Sequence, residues 1–332
     1  MDKLVLIDGN AILHRAFHAL PPLTTKRGEP INAVYGLISM LLRVIQDLKP
    51  THIAVCFDTP EPTFRNKVFK EYQAQRPQTL NELITQFEKA RRVVKAFGIP
   101  YYEKPGYEAD DLIGTIANKV KEDVVIVTGD RDILQLVTPR IKVYMPVIGM
   151  SEGKLMGEGE VLTKMGVKAS LIDDYKALVG DPSDNYSGVP GIGPKTAIKL
   201  LEEFGTLDEI YNSIQEDSAT SCGDELNADM SSSFRGKPRA LARGGCHKNL
   251  SKIPEKTAKL LKEGRKQSKI SKKLATIVKD VPLNIKIEDC AAWDVDSKVV
   301  LDLFAEYGFK TLTERVKKVG KELDQQKQIR LI

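Results

Sequence analysis

Three apolar, β-branched runs within the first 130 residues each stop at an aspartate: LVLID at Asp8, AVCFD at Asp58 and VVIVTGD at Asp130. Runs of this kind read as buried strands, and amphipathic helical patterns lie between them. Strands are expected at 3–8, 51–58, 99–103, 123–128 and 141–146, and helices near 10–19, 32–48, 80–97 and 109–121. Strand–helix alternation predicts an α/β core with a mostly parallel central sheet covered on both faces. Ligands of such sheets bind beyond the carboxyl ends of the strands, where these aspartates fall.

Further acids accumulate in the same region. YEADD supplies Glu108, Asp110 and Asp111, TGDRD supplies Asp130 and Asp132, and GDPSD supplies Asp181 and Asp184. Any one of these motifs reads as a helix cap or a turn. Gathered at one sheet edge they oppose one another, because two unit charges about 4 Å apart repel by on the order of 4 kcal/mol at a surface-like dielectric. Bound divalent cations are the simplest compensation, and an all-oxygen donor set favours Mg²⁺ or Mn²⁺ over zinc.

The 332 residues suffice for one large domain and a smaller one, with a formal net charge of +5. That charge is laid out unevenly: residues 235–273 hold fourteen Lys and Arg against Glu255 and Glu263 alone. An acidic pocket paired with basic surface suits a polyanion such as nucleic acid. Cys56, Cys222, Cys246 and Cys290 show no CxxC spacing, which argues against structural zinc and for a reduced, cytoplasmic protein. Asp8 interrupts the amino-terminal apolar stretch, against a signal peptide, and no run is long enough to span a membrane.

Residues 61–80, EPTFRNKVFKEYQAQRPQTL, mix cations and aromatics unlike a core helix and are expected to form an exposed arch or loop, with the arch region near 61–90. After residue 184 the segment GVPGIGPKTAIKLLEEFG sets Gly188, Gly191 and Gly193 in a tight turn before an amphipathic helix, a helix–hairpin–helix pattern. Its backbone N–H groups can approach a phosphate at the following helix N-terminus. Residues 217–251 have no apolar period and read as a disordered insert. Helical patterning resumes from about 253 to 277 and again over 296–306, and 314–332 reads as a charged extension without a core. The expected division is therefore a core at 1–180, a helix–hairpin–helix region at 181–316 interrupted by the insert, and a tail at 317–332.

With LIDGNAILHRAFHAL, VCFDTPEPTFR, EYQAQRP, GYEADDLIGTIA, TGDRDILQLV, ALVGDPSDNYSGVPGIGPKTA and SKKLATI in that order, the chain resembles the 5′ nuclease domain of bacterial DNA polymerase I and its flap-endonuclease relatives over roughly 1–216 and 253–316. The resemblance implies a PIN-like nuclease core with a helical arch and a helix–hairpin–helix domain. It implies a 5′→3′ exonuclease and 5′-flap endonuclease that works on DNA as a monomer. Asp8, Asp58, Glu108, Asp110, Asp111, Asp130, Asp132, Asp181 and Asp184 would hold two Mg²⁺ or Mn²⁺ ions. Arg15 would lie near the metals, and Arg65, Lys70, Tyr72 and Arg76 would belong to the arch, with Tyr72 able to stack on a base. Gly188, Gly191, Gly193, Lys195 and Thr196 would grip the duplex backbone, with a K⁺ ion at the turn. Gln73 departs from the pattern, which usually carries Lys after the tyrosine, and the insert is foreign to it. No polymerase active site is expected in these residues. An RNA-cleaving nuclease of the same class, or a DNA-junction binding module with impaired catalysis, stands as the alternative. The terminal Gln328-Ile329-Arg330-Leu331-Ile332 resembles peptides that bind the β sliding clamp.

Overall fold

The computed structural model describes residues 2–147, 153–220 and 253–330, with side chains described up to 214 in the middle segment and up to 325 in the last. In chain order the elements are β1 (Lys3–Asp8), α1 (Gly9–Ala19), α2 (Asn32–Leu48), β2 (His52–Cys56), α3 (Phe64–Val68), α4 (Asn81–Ala96), β3 (Tyr101–Tyr102), α5 (Ala109–Lys119), β4 (Asp123–Val127), β5 (Ile141–Pro146), β6 (Gly153–Met156), α6 (Glu158–Met165), α7 (Ile172–Val179), β7 (Gly180–Asp181), β8 (Tyr186–Ser187), α8 (Pro194–Phe204), α9 (Leu207–Thr220), α10 (Glu255–Ala275), α11 (Lys298–Tyr307) and α12 (Lys310–Arg330). Two compact units result. The first comprises Met1–Ile172, Ser183–Asn185 and Thr276–Ile332, and the second Asp173–Pro182 and Tyr186–Ala275. The units interleave along the chain, unlike a single boundary at 180.

The first unit is built on a six-stranded sheet in the order β3-β2-β1-β4-β5-β6. All pairings are parallel except β5 with β6. Leu4, Val5, Leu6, Ile53, Ala54, Val124, Ile126 and Val127 are fully buried on both faces, as a covered parallel sheet requires. The chain reverses its strand order at β1, so the carboxyl ends of β1, β2 and β4 converge on one edge and deliver Asp8, Asp58 and Asp130 there.

Two expectations about exposed segments are corrected. Residues 61–80 do not form an exposed loop throughout, because Thr63, Arg65 and Tyr72 are buried. The carboxyl-terminal segment has a core after all: Leu312, Val316 and Val319 of α12 are buried in the same hydrophobic cluster as α2. Their spacing of four and three residues forms one helical stripe. Arg315 adds a hydrogen bond to the Ser39 hydroxyl at 3.1 Å.

Among its described residues the second unit is helical apart from the β7–β8 pair. Gly188 is buried, Gly191 has a φ of 84° that only glycine adopts freely, and Gly193 precedes α8 with Pro194 at its first position. Of the expected insert, 217–220 continue α9, whereas 221–251 lie outside the described residues. Of the clamp-like peptide, Gln328–Arg330 complete the backbone of α12. Its side chains and residues 331–332 also lie outside the described residues.

Candidate functional site

Asp8 closes β1 and caps α1, accepting from the Ala11 N–H at 2.9 Å and from the Thr128 hydroxyl at 2.7 Å. Asp58 follows β2 and accepts from the Ala109 N–H at 2.6 Å, while its own N–H is held by the Asn10 side-chain oxygen at 3.1 Å. After β4 the chain turns tightly. Thr128 accepts from the Asp130 N–H at 3.0 Å, and Asp130 accepts from the Asp132 N–H at 2.8 Å. The capping roles are therefore real, and each leaves carboxylate lone pairs for other partners.

Electrostatics separates capping from function. Burial first, then the charges of Asp58 and Asp130, push the Asp8 carboxyl up to about 7. Glu108, at the head of α5, is also pushed up to about 7, by burial, with Arg65 opposing and Asp111, Asp58 and Asp184 adding to the rise. Burial raises Asp58 too. Asp110 is raised well above the ordinary carboxylate range, by burial and then by Asp130, Asp8, Glu108 and Asp132, all of them acids. A carboxyl oxygen of Asp132 and one of Asp184 come within 4.8 Å of each other. Around Asp8 and Asp110 such a set gathers negative charge in a desolvated place, which divalent cations would relieve.

A stability prediction follows. Because Asp8 and Glu108 have folded-state values raised above 3.8 and 4.5, the folded chain holds more protons than the unfolded one between about pH 4 and 7. Stability of the metal-free protein therefore falls as pH rises through that window. Its thermal midpoint in EDTA should be lower at pH 8 than at pH 5.5, by on the order of 5 °C. Added Mg²⁺ should remove most of that difference, and a midpoint independent of both would show the acids to be neutralised from within.

Asp111 is not part of the open acidic set. It is fully buried, takes a bidentate pair from Arg65 at 2.7 and 2.9 Å, and accepts from the N–H groups of Glu108 at 3.1 Å and Val278 at 2.9 Å. Those four bonds use its lone pairs, so it serves as the counter-ion of Arg65. Arg65 also donates to the Thr276 carbonyl at 3.1 Å, which fixes α3 to α5 and to the segment after α10. Tyr72, expected to offer its ring to a base, is instead buried, its hydroxyl donating to Asp184 at 3.3 Å and Glu108 at 3.4 Å. Gln73 donates to Asp184 at 3.2 Å, and Arg76 pairs with Asp184 at 2.5 Å. Lys70 is exposed. Arg15 lies on α1 and donates to the Val147 carbonyl at 3.2 Å. In the second unit Asp181 pairs with Lys176 at 2.5 Å, Lys195 is exposed and Thr196 is half-buried in the first turn of α8. Asn10, Thr128 and Lys176 were missed by sequence reasoning. Asn10, inside LIDGNAILHRAFHAL, and Thr128, inside TGDRD, carried a signal, and Lys176 did not.

The comparisons with known proteins accord with this geometry. A profile described as "5′-3′ exonuclease, N-terminal resolvase-like domain" matches residues 3–166, and "5′-3′ exonuclease, C-terminal SAM fold" matches 167–238. The chain belongs to the 5′-3′ exonuclease family, in the branch of the nuclease domain of bacterial DNA polymerase I. DNA polymerase I of Bacillus caldotenax is 37% identical over 323 residues, which cover 96% of this chain and 33% of the relative. DNA polymerase I of Bacillus subtilis (strain 168) is 37% identical over 326 residues, 97% of this chain and 33% of the relative. The chain thus spans about a third of the length of these curated relatives. Among solved structures, zinc-bound T5 5′-exonuclease aligns with a TM-score of 0.58 at 19% identity, covering 96% of this chain and 98% of that one. Flap endonuclease-1 from Methanococcus jannaschii aligns with a TM-score of 0.55 at 17% identity, covering 98% and 93%. The catalytic core of Rad2 in complex with DNA substrate aligns with a TM-score of 0.55 at 17% identity, covering 96% and 92%.

These alignments correct one expectation. The fold is that of the 5′-3′ exonucleases and flap endonucleases with a helical arch, not a PIN-like one. Strand–helix alternation is shared by many parallel α/β sheets and could not tell them apart. Alignment over almost the whole chain does.

Proposed function

We propose that this chain is a two-metal-ion 5′→3′ exonuclease and 5′-flap endonuclease that hydrolyses DNA. The observation that carries the reading is the desolvated carboxylate set around Asp110, where the charges that shift it most are all negative. The donors are all oxygens, and the raised proton affinities of Asp8, Asp58, Glu108 and Asp110 mark a place built for added positive charge, so the residues present fit Mg²⁺ or Mn²⁺. Asp8, Asp58, Glu108, Asp110, Asp130, Asp132 and Asp184 would hold the ions directly or through water; for Asp181 the family resemblance alone carries the assignment. When bound, a pair of divalent ions supplies a nucleophile at neutral pH and offsets charge on the departing oxygen. Zinc in T5 5′-exonuclease and DNA in Rad2 support extending both ligands to this chain.

The chain's own residues do the rest. Arg76 and Gln73 meet Asp184 from the arch side and can turn toward a phosphate that displaces them. Arg65 acts at one remove, by locking α3 against the helix that carries Asp110. The turn at Gly188, Gly191 and Gly193, with Lys195 and Thr196, takes backbone phosphates and a K⁺ ion. The reading includes a monomer in the cytoplasm; the buried thiols of Cys56 and Cys290 are unbridged, and no helix among the described residues is long and apolar enough to cross a membrane. Docking of 328–332 on a sliding clamp is a further part of the proposal.

Substrate choice is tested with one labelled sequence presented as a 5′-flap duplex, a blunt duplex, a single strand and an RNA strand. Cleavage should be fastest at the flap junction. Preference for RNA would favour the alternative nuclease, and binding without cleavage the junction-binding module. Gln73→Lys should raise the single-turnover rate severalfold, since it adds a cation where the amide now reaches Asp184. A rate at or below that of the parent would assign the role to Arg76 alone.

A further inference from the structure

A cavity of about 540 Å³ opens beside the acids and is unused by the reading above, with Arg15, Arg131, Lys154 and Lys164 in its lining. Gly129 lines it as well, and Arg131 falls between Asp130 and Asp132, so the cavity begins where the acidic turn ends. Its buried floor includes Met145 and Met156. Glu160 is the acid in the lining, and its carboxylate accepts from the Gly157 N–H at 2.9 Å, capping α6. The size is within the ordinary range for small-molecule sites, roughly 300–1,000 Å³.

We propose that this cavity is a nucleotide subsite: Arg131, Lys154 and Lys164 take a phosphate group, and the methionine floor takes the sugar or base. It rests on the nuclease reading and deepens it, placing a nucleotide adjoining the reactive phosphodiester on the β5–β6 side of the acids. Three cations from three separate elements (the turn after β4, β6 and α6) line it against the one carboxylate of Glu160, which is engaged with the Gly157 N–H. A surface made only for solubility would mix signs. Burial first, then the charges of Arg131 and Lys154, hold the Lys164 ammonium below its ordinary value. An anion among them relieves their repulsion. The thioethers are soft and adaptable, suited to any base and so to recognition without sequence preference. The phosphate could belong to a continuous strand or to a released mononucleotide, which share this chemistry.

The test measures binding of a 5′-flap oligonucleotide in Ca²⁺, over a range of salt, to the full chain and to Lys154→Ala/Lys164→Ala. A second pair, Lys317→Ala/Lys318→Ala on exposed turns of α12, removes the same charge elsewhere. The first pair should weaken binding by about tenfold and lower the salt slope by about 2. The α12 pair should do neither. Titration with a deoxynucleoside 5′-monophosphate separates the sources. Its loss with the first pair assigns a released nucleotide, and loss confined to the oligonucleotide assigns a strand. Lys154→Arg/Lys164→Arg should keep the affinity. Matching thermal midpoints of parent and variant exclude misfolding. Equal effects of the two Ala pairs, or none, overturn the subsite while cleavage by the parent chain keeps the nuclease reading standing. A parent chain that neither binds nor cleaves DNA overturns both.

Discussion

Asp110→Ala is expected to lower turnover on 5′-flap DNA by at least about a thousandfold while DNA affinity is kept or slightly improved. The reason lies in what surrounds it. Asp130, Asp8, Glu108 and Asp132 are the charges that shift it, so removing Asp110 removes repulsion toward phosphate together with a donor for the cations that offset the reaction's charge. Asp130→Ala should lose as much, with an added structural cost because Asp130 also accepts the Asp132 N–H at 2.8 Å. Gel-shift and single-turnover assays on the same preparations check both quantities. Binding that falls in step with cleavage would show that these acids hold the fold and not the chemistry.

Arg65→Ala should destabilise the first unit by about 3–5 kcal/mol, because it strands the fully buried Asp111 carboxylate without its counter-ion. The bidentate geometry at 2.7 and 2.9 Å makes this the best-formed buried pair near the site. Arg65→Lys should recover little, since an ammonium cannot reproduce the planar fork or reach the Thr276 carbonyl in the same pose. Replacing both partners, as Arg65→Met with Asp111→Leu, should recover much of the loss. Urea unfolding of the three variants measures this. Single-variant losses under about 1 kcal/mol would mean that water screens the pair.

The strand ends were legible because β-branched runs stop abruptly at Asp8, Asp58 and Asp130, and because α5 and α8 carry clear helical periods. The division of labour within YEADD was not. Asp110 and Asp111 are adjacent letters, but one residue along a helix turns the side chain by roughly 100°. One therefore faces other acids and the other faces Arg65, which only the placement of α5 against α3 decides. The contacts of Tyr72, Gln73 and Arg76 with Asp184 join residues more than 100 positions apart, and no local pattern registers them. In α12 a signal was present and outweighed by charge: Leu312, Val316 and Val319 recur at helical spacing within an otherwise polar segment, and all are buried.

The central claim is that the carboxylates at the sheet edge are a divalent-metal site for phosphodiester hydrolysis. Cleavage of a 5′-flap duplex by the full chain, followed as Mg²⁺ is raised from zero in chelator-treated buffer, tests it most directly. The account predicts no cleavage without the metal, a steep rise with Mg²⁺ or Mn²⁺, and loss of that response in Asp110→Ala. Full activity in excess EDTA would contradict it.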